Sequence, residues 1–251
     1  MWGRFKRALE DVLAAGRWLP TIDRTASPDA IAITLDDGPS PATTPRILEL
    51  LQTYRATATF FLCGARAAAY PDLVEAIVAR GHPIYTQGFN HVRMDGLSPK
   101  GFFANLDEAE ALLGLFRVTP SPYFVRLPYG AGHRDLRVHR MLRSWREDCV
   151  LTDWRYSLDD FRIAEGCATE AELRVRCAEA ADEAFSRSWF RGSIIVMHEK
   201  SLVEAPHSAS VAPILLEEIL GRARQTGLAV VELNAPRSLA ARPVLRGIAA
   251  N

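Results

Sequence analysis

Asp36 and Asp37 stand side by side at the end of the apolar run 31–35 (IAITL) and are followed at once by Gly38 and Pro39. Two acids on a turn are ordinarily solvated surface. They also suit a division of labour in which one carboxylate binds a divalent metal and the other takes a proton from the metal-bound water. Metal binding relieves the repulsion that would otherwise raise one of two adjacent carboxyl pKa values. Hydrolysis of a carbonyl compound then needs a donor for the oxyanion, an acid for the leaving group, and charges that orient both. Side chains of those types recur after other apolar runs: Gln87 and His91; Arg126, Pro128, Tyr129 and Gly130; Asp153, Trp154, Asp159 and Asp160; Met197, His198 and Glu199. His198 titrates near working pH and suits the acid, and Arg126 and Asp160 are candidate orienters. Singly, a loop histidine is a hydrogen-bonded structural residue and an arginine a salt-bridge residue. Their recurrence at strand ends is what favours a site.

The elements that must position these groups alternate along the chain. Apolar, β-rich runs occur at 31–35, 57–62, 83–87, 123–127, 149–153, 193–197 and 228–233. Helical patterns lie between them, with starts at Thr44-Pro45, Pro71, Ser98-Pro99, Asp135, Thr169 (with Glu172 as a capping box) and Ser210, the last ending before Gly227. Continuous rather than alternating apolar strands, each followed by a helix, predict parallel strands buried on both faces. The fold class expected is α/β, a distorted (β/α) barrel of about seven parallel strands in a single domain, with its site at the C-terminal ends of the strands. The boundaries expected are an N-terminal helix or extension over 1–28, the barrel over 29–236 and a tail over 237–251.

Thirty basic residues balance thirty acidic ones in 251, so no global field favours nucleic acid or an anionic surface, and a neutral substrate is expected. Cys63, Cys149, Cys167 and Cys177 show no CxxC spacing and read as reduced structural thiols. Glu10, Asp11 and Arg17 interrupt any signal h-region or membrane span near the start, which points to the cytoplasm. Trp2, Phe5, Leu9, Val12 and Leu13 fit a short amphipathic helix that packs on the domain; peripheral membrane contact through residues 1–20 is the less favoured alternative.

The stretches TLDDGP (34–39), GHPIYTQGFNH (81–91), RLPYG (126–130), WRYSLDDF (154–161) and IIVMH (194–198) resemble, in order, the five motifs of the polysaccharide deacetylases, the family with the NodB homology domain. The resemblance runs from about Ile31 to Leu233, with the fourth motif the loosest match. It implies a distorted seven-stranded barrel and metal-dependent removal of acetyl groups from an N-acetylated sugar. Carried over residue by residue, it implies Asp36 as general base, Asp37 and His91 as ligands of a divalent metal, zinc above all, and the backbone N–H of Tyr129 as oxyanion donor. It implies His198 as the acid for the leaving amine, with Arg126 orienting Asp36 and Asp160 poising His198.

One position departs from the motif. Where the family has His-x-x-x-His, this chain has Gln87-Gly-Phe-Asn-His91, so the metal set becomes Asp37, Gln87 and His91. A carboxamide is a much weaker zinc ligand than imidazole. Three readings stay open: Gln87 coordinates through its carbonyl oxygen in a weakened site; the barrel binds carbohydrate without turnover; or Gln87 is a substitution in a protein with histidine there. Amide hydrolysis on a non-sugar C–N bond is a further alternative, since fold does not fix substrate. His82, before Pro83, is expected at the opposite barrel end. Trp154, Phe89 and Tyr156 are candidate sugar-stacking residues, with Phe161 and Tyr129 in the same class. The segment 199–213 is expected to border the site, with His207 on its surface.

Overall fold

In β2 (Ala30–Asp36), every residue of the run AIAITLD is buried, as a parallel strand covered on both faces requires. The structure, a computed structural model, describes residues 18–199 and 205–234. Around β2 lie β3 (Thr59–Leu62), β4 (Ile84–Thr86), β7 (Tyr156–Ser157) and β8 (Ile194–His198), in the order β4-β3-β2-β8-β7, with β9 (Ala229–Val231) on the first half of β2. A second sheet has the order β1-β6-β5, from β1 (Thr21–Ile22), β6 (Cys149–Thr152) and β5 (Tyr123–Val125). All of these ladders are parallel.

The two sheets share one stretch of chain. Residues 149–157 pair first with β5 and β1 and then with β8, and the Asp153 N–H to Ile22 O and Arg155 N–H to Ile194 O bonds (2.8 and 3.0 Å) mark the change of partner. Between β4 and β5 the ladder is replaced by a side chain, the Thr86 N–H donating to the Tyr123 hydroxyl at 3.3 Å. The barrel is therefore distorted rather than regular.

Helices α1 (Thr44–Tyr54), α2 (Gly64–Ala69), α3 (Pro71–Ala79), α4 (Pro99–Leu113), α5 (Leu136–Trp145), α6 (Glu170–Ser186) and α7 (Val211–Thr226) connect the strands. Three of the expected caps form: Ser98 accepts from Gly101 N–H, Asp135 from Arg137 N–H and Thr169 from Glu172 N–H, while Glu172 reaches back to Ala168 N–H. Ser210 does not cap α7; it closes a 3-10 turn, Ser208–Ser210, that leads into it. One core layer packs α1, α6 and α7 on the outer face of β2 and β8, through Leu48, Leu51, Leu215 and Ile219. A second joins β5 and β6 to α4 and α5 through Phe102, Leu106, Val138 and Leu142.

The seven expected strands are present. Two further ones, β1 and β7, are two residues long and carry no periodicity of their own. Because β1 pairs with β6, residues 21–22 belong to the sheet although they fall in the expected extension. The expected amphipathic helix near the N-terminus and the proposed tail lie outside the described residues. No helix among the described residues is long and apolar enough to cross a membrane. The four cysteines are buried and free.

Candidate active site

Asp36 ends β2 and His198 ends β8, and the parallel register makes them direct partners. Thr34 lies two residues before Asp36 and so shares its face. Arg126, wholly buried just beyond β5, crosses the barrel to this face: Nη1 donates to Thr34 Oγ1 at 2.6 Å and to Asp36 Oδ1 at 2.7 Å, while Nε and Nη2 donate to the carbonyls of Thr152 and Asp153, both at 3.3 Å. Its guanidinium carbon sits 4.4 Å from the Phe61 ring centroid and 5.7 Å from that of Trp154. Burial pushes the Asp36 carboxyl above the usual carboxylate range; the charges of Arg126 and His198 pull it back only in part.

His198 is tied to Asp160 twice, by its backbone N–H to Oδ2 at 2.6 Å and by Nδ1 to Oδ1 at 2.8 Å. Burial alone would depress the imidazole. The hydrogen bond and charge of Asp160, with the charges of Asp36 and Asp37, overcome this and raise it to about 9. His198 is thus an imidazolium at neutral pH and loses its proton only as pH rises through about 9. In Asp160→Asn the largest of these supports is gone. The imidazole is expected to fall from about 9 toward its ordinary 6.5, moving the alkaline limb of the pH–rate profile and the His198 NMR titration to lower pH. A titration left where it was would show that Asp160 does not set it.

The corner that holds the expected metal ligands is built on left-handed backbone. Asp37 (φ 69°), His91 (φ 50°) and Tyr129 (φ 61°) are three of six such non-glycine residues among those described. Asp37 is held from both sides: its N–H donates to Gln87 Oε1 at 2.8 Å and its carbonyl accepts from Arg66 Nη1. His91 Nε2 lies 2.7 Å from Asp37 Oδ1, a buried oxygen otherwise without a hydrogen-bond partner. Burial pushes Asp37 up, but hydrogen bonding and charge from His91, then His198 and Arg66, hold it below the usual range. Gln87 is buried, and its Nε2 donates to Asp36 Oδ2 at 3.0 Å.

Glu199 underlies this turn. Its N–H donates to the Asp36 carbonyl, Thr43 and Thr44 donate to Oε2, and Oε1 is buried without a partner. Burial raises its carboxyl to about 7. A Cβ on Gly38 would collide with that carboxyl group, so any larger residue there would displace the Glu199 side chain.

Residues 23–143 match the family model described as polysaccharide deacetylase. Over this stretch the chain is similar to the polysaccharide deacetylases. It is 30% identical over 135 residues to the peptidoglycan-N-acetylmuramic acid deacetylase PdaC of Bacillus subtilis, covering 53% of this chain and 29% of that protein. It is 31% identical over 121 residues to the chitooligosaccharide deacetylase of Sinorhizobium fredii, covering 47% of this chain and 56% of that one. The chain thus spans less than two thirds of the length of either relative. The chitin deacetylase of the fungal pathogen Colletotrichum lindemuthianum shares the fold, with a TM-score of 0.68 at 19% identity over 84% of this chain and 88% of that one.

Within this deacetylase fold, Asp36, Asp37, Gln87, His91, Arg126, Asp160 and His198 come together at one barrel end. Tyr129 stands on the rim, 56% exposed, with its ring 4.9 Å from that of His91. Trp154 borders the same loop, close enough to Gly130 that a Cβ there would lie 3.0 Å from it. Phe89 is half-buried against Gly64. Tyr156 is not brought to the site: it is buried against Trp189 and Phe190, which precede β8, because the chain has by then left β6 and faces the helix layer. Phe161 instead meets the His198 ring edge-on at 5.8 Å.

His82 is buried beside Phe60 at the opposite end, its imidazole depressed to about 4 by burial and the Arg80 charge. His207 is exposed, and 200–204 of the expected flap lie outside the described residues. Sequence reading had no use for Thr34, Arg66 or His133. Thr34 was recoverable from its two-residue offset to Asp36; Arg66, on the unforeseen α2, and His133, 3.1 Å from Asp153, were not.

The zinc that the resemblance implies does not fit the donor set. A catalytic zinc takes three protein ligands. Asp37 Oδ1 and His91 Nε2 converge, but both ends of Gln87 are engaged elsewhere, and among the described residues no group of three His, Cys, Asp or Glu is placed to hold a metal.

Proposed function

We propose that this chain hydrolyses the acetamido group of an N-acetylated sugar, releasing acetate and leaving the free amine. The observation that carries this reading is the pairing of Asp36 with His198 across β2 and β8, each with its own charged partner, Arg126 and Asp160. Asp36 takes a proton from the attacking water as its oxygen bonds to the carbonyl carbon. The N–H of Tyr129 is the donor for the oxyanion that develops. The C–N bond then breaks as His198, charged at working pH, gives its proton to the nitrogen. The imidazole raised by Asp160 keeps the acid protonated at working pH, and the ion pair with Arg126 favours the ionised base against the burial that raises the Asp36 carboxyl.

The sugar class is supported by the two relatives, named for action on peptidoglycan N-acetylmuramic acid and on chitooligosaccharides. The test is acetate release from N-acetylated chitooligosaccharides and from peptidoglycan fragments. Release from either is the expected result; release from neither overturns the reading.

A second reading, glycan binding without turnover, is favoured by one feature. Both oxygens of Asp36 already accept N–H donors, from Arg126 and Gln87. Saturable binding of the oligosaccharide with no acetate released would select it.

A further inference from the structure

We propose that Gln87 is a hydrogen-bonded clasp and not a metal ligand, so that this chain holds zinc only weakly, through Asp37 and His91, and that the single change Gln87→His completes the site. Gln87 is 2% exposed, and its carboxamide spans the two catalytic-turn residues: Oε1 takes the Asp37 N–H and Nε2 gives a proton to Asp36 Oδ2. The orientation is fixed by chemistry. Turned over, the amide would set an NH2 group against the Asp37 N–H and a carbonyl oxygen against a carboxylate oxygen, two contacts of like with like.

One lone pair of Oε1 is taken by the Asp37 N–H while Nε2 is held on Asp36 Oδ2, so only the second lone pair is left for a cation. Swinging the carboxamide to aim it costs these two contacts. The Asp37 N–H is buried, and with Arg66 on the adjoining carbonyl its bond holds Asp37 at φ 69°. The turn that presents Asp37 Oδ1 to a metal is therefore the turn that ties down the third side chain. A carboxamide oxygen is in addition a poorer zinc donor than an imidazole nitrogen, so both effects act in one direction. The remaining two donors are in place: Asp37 Oδ1 has no hydrogen-bond partner apart from the close approach of His91 Nε2 at 2.7 Å.

This inference concerns affinity for metal and goes beyond the proposed reaction; it is read without measuring turnover. The experiment is zinc binding to the full chain, by competition with a chromophoric chelator and by elemental analysis after dialysis, for the native protein, Gln87→Ala and Gln87→His, with thermal melts as the control for folding. Native protein and Gln87→Ala are expected to agree within about threefold and to retain no stoichiometric zinc, whereas Gln87→His binds at least about 100-fold more tightly.

Native protein that keeps one zinc per chain, or a Gln87→Ala variant about tenfold or more weaker than native, would make Gln87 a ligand and overturn the proposal. A Gln87→His variant no tighter than native would overturn the claim that Asp37 and His91 are a zinc site lacking one donor. Should one variant melt apart from the native protein, the comparison of native with the other decides the question.

Discussion

Asp36→Asn is expected to lower kcat for acetate release by about 10²- to 10⁴-fold, the range for loss of a positioned general base. The change is nearly isosteric, and the asparagine carbonyl can still accept from Arg126 Nη1, so Arg126 stays partnered. What is lost is the group that takes the proton. The asparagine NH2 would also face Gln87 Nε2, donor against donor, where Asp36 Oδ2 now accepts. The turn is therefore expected to loosen slightly, and thermal melting should be followed beside the kinetics. A kcat/KM near that of the native chain, with the fold intact, would remove Asp36 from the mechanism; a large fall in kcat with KM little changed is the signature of a group that acts in the transition state.

How much of this site could be read beforehand differs from residue to residue, and the reasons are physical. The strand-end groups were legible because a parallel barrel buries both faces of its strands, which leaves an unbroken apolar run, and places the first polar residues after each run at one end. Asp36, Arg126 and His198 follow directly from that rule. Asp160 follows less directly, since it lies eight residues beyond β6 and returns to His198 only because β7 carries the chain alongside β8. The same change of partner explains why Tyr156, two residues from Trp154, ends in the helix-facing core. No periodicity in the sequence announces that the segment 149–157 serves two sheets. Gln87 was legible as a departure and illegible as a clasp. Its partners are the backbone N–H of a residue in a left-handed conformation and the far oxygen of a carboxylate, neither of which has a sequence signature.

Arg126→Met should be the most destabilising single change at this site, by about 3–5 kcal/mol, because removing one partner of a buried ion pair leaves the other charge uncompensated. Arg126 is wholly buried and supplies donors to Thr34, Asp36 and the carbonyls of Thr152 and Asp153. Methionine keeps much of the length and apolar contact with Phe61 and supplies none of these donors. The loss should depend on pH, and its sign follows from Asp36. The folded-state pKa of this carboxyl is already raised by burial and would rise further without Arg126. Below the unfolded value of 3.8 the carboxyl is neutral in both states and carries no penalty; as pH climbs from there through the folded value, the folded state must bear a buried charge and loses stability. Urea unfolding of Arg126→Met is therefore expected to show a smaller deficit against the native chain at pH 4 than at pH 7. The double change with Asp36→Asn should recover part of the pH 7 deficit, because the charge left unpaired is then absent. A deficit equal at both pH values, and no recovery in the double variant, would mean that Arg126 stabilises through packing and its neutral hydrogen bonds and that its charge on Asp36 counts for little.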